Sequence, residues 1–283
     1  MTERHIELSI PAVETSDGAG VRIKRSIGMR PDMRVDPFLM LDEFGSDNPD
    51  DYIAGFPSHP HRGFETVTYM LDGEMVHEDH LGNYGLLNSG GAQWMTAAKG
   101  IIHSEMPRLR EGLMRGFQLW VNLPGSEKMR PAWYRDLQPD EIPSYAVADG
   151  VTAKVIAGSF AVDGKQYAGA VQGTSRDPIY VDFALAKGVT ITVDVPTAHR
   201  GFLYPFEGQV VLAGDIVPQA SAAVLSEGEA ITFSAPSRDS RCLLVLGAPI
   251  GEPVAQYGPF VMNTRAELDQ AVRDFRGGTL TDG

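Results

Sequence analysis

Short apolar runs separated by turn-forming residues are the main pattern along this chain. Clear examples lie at residues 66–71, 117–121 and 189–193, where β-branched and aromatic residues alternate with polar ones. Between such runs the chain places many of its 31 Gly and 19 Pro residues. Many short strands with frequent turns are typical of sandwiches and barrels rather than of alternating β and α units. The pattern therefore predicts a mostly β protein.

One segment near the end of the sequence follows helical spacing instead. Thr264 and Glu267 have the spacing of a capping box, and Gly277 is suited to end a helix. The apolar residues that would share one face of this helix are Leu268, Val272 and Phe275. The sequence predicts a single helix here.

An internal repeat indicates how the strands are organised. The tetrapeptide His-Arg-Gly-Phe at residues 61–64 recurs 138 residues later, at 199–202. Residues 87–97 also resemble residues 225–235, at the same offset of 138. Two matches at one offset predict that the chain contains two copies of one β-barrel.

The chain length agrees with two domains, because single cores rarely grow beyond about 250–300 residues. A Pro-rich stretch at residues 124–143 is suited to join the two copies. We therefore expect an N-terminal domain at residues 1–135 and a C-terminal domain, which carries the helix, at residues 136–283.

Charge and cysteine content exclude several classes of protein. The net charge of −13 argues against bulk binding to nucleic acid, which depends on Lys and Arg neutralising phosphates. Cys242 is the only cysteine, so an intramolecular disulfide and a cysteine-rich zinc site are both excluded. The sequence contains no signal-type segment and no apolar run of the roughly 18 residues that a membrane helix needs. We expect a cytoplasmic protein without a membrane anchor.

Two pairs of metal-ligand residues stand at strand spacing. His59 and His61 are two residues apart, and so are His103 and Glu105, which places each pair on one face of its strand. On antiparallel neighbours, facing side chains come within about 4.5–5.5 Å at Cβ, so the four groups could share one ion. A single His-x-His pair is often only a surface feature, but two such pairs in one chain favour a metal site.

The chemistry of these ligands suits some metals better than others. Imidazole and carboxylate without thiolate suit iron, manganese, nickel or copper with open coordination positions, and suit a closed structural zinc site less well. Glu65 is a rival carboxylate, because it shares the strand parity of His61. A bulge at Gly63 would turn Glu65 to the other face, so spacing alone leaves Glu65 and Glu105 both open.

Three motifs around these residues carry a family resemblance. They lie at residues 59–67, 93–97 and 100–107, and further similarity extends to residues 36–43, 248–253 and 258–263. The chain resembles the pirins, a branch of the cupin superfamily, over nearly its whole length and weakly between residues 140 and 240.

The resemblance implies an all-β fold of two tandem cupin barrels, of the double-stranded β-helix or jelly-roll type, with a C-terminal helix. It implies one transition metal ion per chain in the first barrel, with Fe(II) favoured over Mn, Ni, Cu or Zn. The pirin ligands fall by motif on His59, His61, His103 and Glu105. On this basis Glu65 becomes a buried hydrogen-bonding residue outside the ligand set.

Two functions follow from the resemblance. Several pirins are similar in activity to quercetin 2,3-dioxygenases, which implies a flavonol or other phenolic substrate, O2, and release of CO on ring opening. In that reaction Glu105 is the candidate catalytic group, as acceptor of the flavonol hydroxyl proton. The alternative is an iron-dependent regulatory protein that binds a transcription factor or a metabolic enzyme without turnover.

The remaining histidines receive lesser roles. The offset of 138 maps the four ligands to Thr197, His199, Arg241 and Leu243, so we expect the second barrel to have lost its metal site. His77 and His80 lie in a charged stretch and are interpreted as solvated. The hydrophobic residues expected either to line the substrate pocket or to belong to the core are Phe56, Phe64, Trp94 and Met95.

Overall fold

The computed structural model describes residues 2–108 and 112–282. The first twelve strands are β1 (Ile6–Pro11), β2 (Val13–Asp17), β3 (Val21–Arg25), β4 (Phe38–Ser46), β5 (Phe56–His61), β6 (Phe64–Asp72), β7 (Met75–Asp79), β8 (Tyr84–Leu87), β9 (Ala92–Thr96), β10 (Ile101–Pro107), β11 (Met114–Asn122) and β12 (Trp133–Leu137). The later strands are β13 (Ser144–Ala148), β14 (Val151–Ala157), β15 (Ser159–Val162), β16 (Lys165–Ala168), β17 (Ile179–Leu185), β18 (Thr190–Asp194), β19 (Arg200–Glu207), β20 (Val210–Leu212), β21 (Asp215–Val217), β22 (Ser221–Leu225), β23 (Ala230–Ser234), β24 (Ser240–Gly247), β25 (Ala255–Tyr257) and β26 (Phe260–Met262). The helix α1 spans Arg265–Arg276, and short 3-10 turns lie at Pro31–Met33, Pro49–Asp51 and Gly125–Glu127. The expected mostly β fold is confirmed.

Two compact units divide the chain, and we call them the first and the second barrel. The first barrel contains the described residues of 14–25, 39–139 and 250–282. Its larger sheet has the order β12-β9-β6-β11-β4-β3-β2, and its smaller sheet has the order β5-β10-β7-β8. Apolar side chains from both sheets, such as Met70 on β6 and Met75 on β7, share one core cluster.

The second barrel repeats this architecture with different residues. Its larger sheet has the order β1-β22-β19-β24-β17-β14-β13, and its smaller sheet has the order β16-β15-β18-β23-β20-β21. The seven positions of the two larger sheets correspond one to one, with β19 in the place of β6 and β22 in the place of β9. A large apolar cluster drawn from both sheets fills the second barrel.

The two units exchange their chain ends, which differs from the predicted contiguous domains 1–135 and 136–283. Residues 2–13 and 26–38 group with the second barrel, whereas residues 250–282, including α1, group with the first. The N-terminal segment belongs to the second barrel because β1 pairs with the edge of β22. The buried Arg4 side chain also donates hydrogen bonds to three carbonyls of that barrel, those of Pro196, His199 and Gly228.

Only one of the two repeat matches agrees with the strand topology. Gly63 and Phe64 precede and begin β6 as Gly201 and Phe202 stand in β19, so the Gly-Phe step of the His-Arg-Gly-Phe match is confirmed. The second match is wrong, because residues 92–96 form β9 of a larger sheet and residues 230–234 form β23 of a smaller one. The true equivalent of β9 is β22, since each pairs with the strand that follows the Gly-Phe step.

The predicted C-terminal helix is confirmed, with its caps. The Thr264 hydroxyl accepts from the backbone N–H of Glu267, whose carboxylate accepts from the backbone N–H of Thr264. Gly277 follows the last helical residue. Leu268 is buried and Val272 packs against the same cluster, while Phe275 is 41% exposed, with its ring 6.1 Å from that of Phe260.

Two buried cations hold this C-terminal segment against the first barrel. Arg62 donates to the Asp274 carboxylate at 2.6 Å, to the Leu280 carbonyl at 2.9 Å and to the Lys99 carbonyl. Lys128 Nζ donates to the carbonyls of Gly63 and Val261, at 2.7 and 3.1 Å, and to Asn122 Oδ1 at 2.6 Å, and burial lowers the pKa of Lys128 to about 8. A Cβ at Gly63 would stand 1.9 Å from the Val261 carbonyl oxygen, so this close approach requires glycine.

Across residues 2–108 and 112–282, no helix is both long and apolar enough to cross a membrane.

Candidate metal centre

Strands β5 and β10 bring the predicted ligand pairs together. The two strands are antiparallel neighbours, and His103 lies directly opposite His59 while Ile101 lies opposite His61. Side chains at directly opposed positions point to the same face of a sheet. The rings of His59, His61 and His103 therefore meet, with centroid separations of 4.4–4.9 Å. Their candidate ligand atoms all lie within 4.8 Å of one another.

One hydrogen bond sets the orientation of the His59 ring. Its Nδ1 donates to the Pro57 carbonyl at 2.9 Å, so in the neutral ring Nε2 carries a lone pair. That Nε2 lies 2.9 Å from His61 Nε2. The two nitrogens are close enough to bind one cation when both rings present a lone pair there, and metal-ligating histidines commonly donate their other N–H to a carbonyl.

Burial favours the neutral form of the inner histidines. His61 and His103 are almost completely buried, and the pKa of each is lowered well below its ordinary value, first by desolvation and then by neighbouring histidines. Neutral imidazole is the form that binds metal. His103 Nε2 is buried and has no hydrogen-bond partner among the described residues, as expected for an atom that serves a ligand from outside the chain.

Glu105 joins the cluster through His103. A register shift between His103 and Glu105 places Glu105 opposite Phe56 on β5 and opposite His77 on β7. The carboxylate is buried, and the Thr68 hydroxyl lies 3.0 Å from its Oε1. Ligand atoms of Glu105, His103 and His77 form a second group within 4.8 Å. Two overlapping groups that share His103 thus contain the four predicted ligands.

The interpretation of His77 as a solvated residue was wrong. His77 is 1% exposed, and its Nδ1 lies 3.3 Å from His103 Nδ1, whereas His80 is exposed as expected. The alternation of side chains along β7 accounts for the burial of His77. Met75 and His77 face inwards, whereas Glu78 faces solvent. The sequence contains this period-2 pattern, but the acidic residues after His77 led to its assignment to solvent.

Glu65 faces away from the candidate ligands. The strand breaks at Gly63, where φ is +92°, and β6 then begins at Phe64. Phe64 packs its ring 5.1 Å from that of His61, and Thr68 on the same face contacts Glu105, so the odd-numbered Glu65 points to the opposite face.

Three donors occupy the buried Glu65 carboxylate. Thr96 Oγ1 donates at 2.6 Å, Arg130 Nη2 at 3.0 Å and Trp94 Nε1 at 3.2 Å. Burial nevertheless raises the pKa of Glu65, with the hydrogen bond from Thr96 and the charge of Arg130 opposing this. Glu65 therefore has the surroundings of a structural buried acid.

An aromatic wall stands beside the histidines. The Trp120 ring lies 5.4 Å from the His61 ring and 4.3 Å from the Phe64 ring, and Trp120 is partly exposed. Trp120 was missed in the sequence because it lies in an apolar run that reads as core. Trp94 does not belong to this wall, since it is fully buried on the face of Glu65.

The strand topology gives the equivalents of these positions in the second barrel. β23 lies between β18 and β20 as β10 lies between β5 and β7. Leu212 is the equivalent of His77, because each stands four residues after a turn glycine, Gly208 or Gly73. Leu212 also pairs with Phe233 as His77 pairs with Glu105. Counting along these strands, the equivalents of His59, His61, His103 and Glu105 are Val193, Val195, Ile231 and Phe233.

The predicted equivalents Thr197, His199, Arg241 and Leu243 were therefore wrong, because the offset of 138 does not hold at the strands that carry the candidate ligands. Arg241 belongs to β24, where it binds the Asp182 carboxylate at 2.5 Å. The four topological equivalents are apolar and all belong to the buried cluster of the second barrel. Core side chains thus replace all four candidate ligands there.

Comparison with known proteins shows which family the chain resembles. A family model described as Pirin matches residues 20–121, and one described as Pirin C-terminal cupin domain matches residues 180–281. A protein of Pseudomonas aeruginosa that is provisionally named a quercetin 2,3-dioxygenase is 54% identical over 269 residues, which cover 94% of each chain. The chain belongs to the pirin family. Pirin of Homo sapiens is 42% identical over 283 residues and covers 97% of this chain and 93% of its own length.

Solved structures agree with this membership. The crystal structure of a quercetin 2,3-dioxygenase from Acinetobacter baumannii superposes with a TM-score of 0.89 at 35% identity, covering 98% of both chains. The expected pair of cupin barrels with a C-terminal helix is thereby confirmed. Membership of the pirin family and the His/Glu cluster together indicate a metal ion in the first barrel. The choice of His59, His61, His103 and Glu105 as its ligands stays a prediction.

Proposed function

We propose that this pirin holds one transition metal ion in its first barrel and uses it to open the ring of a flavonol with O2, releasing CO. In this proposal His59, His61, His103 and Glu105 are the ligands, and Fe(II) is the metal. The observation that carries it is the cluster of three imidazoles, two of them fully buried, beside a buried carboxylate and an aromatic wall. Support also comes from the names of the relatives from P. aeruginosa and A. baumannii.

The donor set fits a catalytic metal better than a structural one. Imidazole nitrogens and one carboxylate suit iron, manganese, nickel or copper, and a site of four protein ligands would leave coordination positions open for substrate. When bound, the ion supplies Lewis-acid polarisation of the substrate hydroxyl oxygen.

The surrounding residues bind and orient a flat phenolic substrate. Trp120 and Phe64 present aromatic surface next to His61, against which a flavonol ring can stack. Glu105 is the acceptor for the hydroxyl proton. The Thr68 hydroxyl holds Glu105 Oε1 in place and itself lies 2.6 Å from Gln118 Oε1.

The test couples oxygen uptake to CO release with quercetin and iron-loaded protein. We expect both signals from the wild type and neither above background from His103→Ala. His80→Ala is the matched control, because this exposed histidine lies just after β7, outside the cluster. Free iron oxidises flavonols slowly, so uptake at equal rates in wild type and His103→Ala, or uptake without CO, would refute the reaction. A metal-loaded protein without turnover would instead favour the regulatory function.

A further inference from the structure

His77 is a buried titratable residue that the proposed reaction leaves without a role. It lies on β7, directly opposite Glu105 on β10. Its ring is 4.9 Å from the His103 ring between centroids, and the two Nδ1 atoms are 3.3 Å apart. Its Nε2 is buried and has no hydrogen-bond partner among the described residues.

The placement of protons on these two rings follows from the metal site. If His103 binds the ion through its unpartnered Nε2, that nitrogen needs its lone pair, so the single proton of the neutral ring sits on Nδ1. The Nδ1–H group faces His77 Nδ1 across 3.3 Å. His77 Nδ1 must then accept the hydrogen bond, and the proton of His77 must sit on its Nε2.

We propose that His77 is a positioning residue, which accepts a hydrogen bond from His103 Nδ1 and thereby fixes both the tautomer and the ring orientation that direct His103 Nε2 at the metal. The inference rests on the proposed metal centre. His59 has the corresponding arrangement, since its Nδ1 donates to the Pro57 carbonyl at 2.9 Å. The acceptor is a backbone carbonyl for His59 and an imidazole for His103.

The second barrel shows that the scaffold does not need histidine at this position. Leu212 is the topological equivalent of His77, and it is fully buried in a barrel whose ligand positions are all apolar. Burying an imidazole costs free energy unless its polar atoms find partners. Among the described residues the His77 ring has its hydrogen-bonding contact with His103, so the candidate ligand supplies the partner of its Nδ1.

The proposal separates two substitutions of similar size. His77→Leu removes the acceptor and installs the residue that the second barrel holds at the equivalent place. His77→Asn keeps an acceptor, because its side-chain oxygen stands near the position of imidazole Nδ1. His80→Leu serves as the control for a change on the exposed side of the same hairpin.

The measurement is the affinity of the full-length protein for Zn(II), by competition with a chromophoric chelator. We expect His77→Leu to weaken binding by about 10–100-fold, the usual loss when a ligand's outer hydrogen-bond partner is removed. His77→Asn and His80→Leu should bind close to the wild-type affinity. Wild-type affinity in His77→Leu would overturn the proposal. Equal weakening in the Leu and Asn variants would also overturn it, because that result would mark His77 as a ligand or a packing residue.

A second readout uses the wild type alone and does not depend on variants that fold. In 15N-histidine-labelled, Zn(II)-loaded protein, long-range 1H–15N spectra should show His103 protonated at Nδ1 and His77 at Nε2. His103 protonated at Nε2, or His77 at Nδ1, would overturn the inference. A wild type that binds no Zn(II) at all would refute the metal centre itself, which distinguishes failure of the proposed function from failure of the positioning role.

Discussion

The two buried glutamates near the cluster should respond in opposite ways to the same substitution. Glu65→Gln is expected to destabilise the protein and leave its metal content intact, because Glu65 faces away from the histidines and holds three donors. Glu105→Gln is expected to lower metal affinity strongly at a small cost in stability. Its carboxylate has a hydrogen-bonding contact with Thr68, which an amide oxygen can replace.

The magnitude for Glu65 follows from its partners. Oε1 accepts from Thr96 and Arg130, and Oε2 accepts from Trp94. A glutamine keeps one acceptor and turns an NH2 group towards at least one of these donors. Hydrogen bonds to a charged group are worth about 1.5–3 kcal/mol each. Arg130 is 38% exposed and its contribution is reduced by solvent, so we expect a loss of about 2–4 kcal/mol in the free energy of unfolding.

Urea unfolding of the metal-free proteins measures the stability, and elemental analysis after desalting measures the metal. Glu127→Gln is the matched control, because Glu127 binds the same Arg130 from the partly exposed side and should cost almost nothing. The reasoning fails if Glu65→Gln empties the site while Glu105→Gln leaves it full.

Four further results are expected. His59→Ala should abolish most metal binding in elemental analysis, and retention of a full complement would contradict its role as a ligand. The intact wild type should hold close to one metal per chain, since the equivalent positions of the second barrel are apolar, and two per chain would contradict the equivalence. In metal-free protein the pKa values of His61 and His103 are lowered, so below about pH 6.5 the unfolded state binds protons that the folded state does not. The free energy of unfolding should therefore fall as the pH drops below about 6.5. A urea midpoint unchanged between pH 8 and pH 5 would refute this. Arg62→Met removes the donor to Asp274 and should lower the free energy of unfolding by about 2–3 kcal/mol and speed hydrogen exchange in α1. Unchanged exchange would show that the contact between Arg62 and Asp274 is dispensable.

Local structure was readable in the sequence where one periodicity dominated. The runs at 66–71 and 117–121 lie within β6 and β11, and the run at 189–193 largely coincides with β18. The helix was predictable because its cap is a local motif of four residues, Thr264 to Glu267. The ligand pairs were equally local, since spacing within a strand fixes which side chains share a face.

Two of the misjudged features, the second repeat match and the exchange of chain ends, depend on which strands pair, which the sequence does not encode locally. The false repeat match joined two segments of similar composition that occupy different sheets. His77 was assigned to solvent because Glu78 and Asp79 follow it, although its partner His103 lies 26 residues away. The exchange of chain ends was also hidden, because β1 meets β22 across more than two hundred residues of sequence.

That exchange of ends has a consequence for synthesis on the ribosome. β1 is made before most of the chain, but its partner β22 is made only after residue 220. Asp274, the partner of Arg62, follows it by 212 residues. Neither barrel can complete its contacts until these later segments have been made, so the nascent chain carries unpaired strand edges in the meantime. Because each barrel needs residues that are made about two hundred positions after its first strands, the two barrels complete their folding nearly together. This predicts a greater dependence on chaperones during synthesis than two consecutive barrels would show.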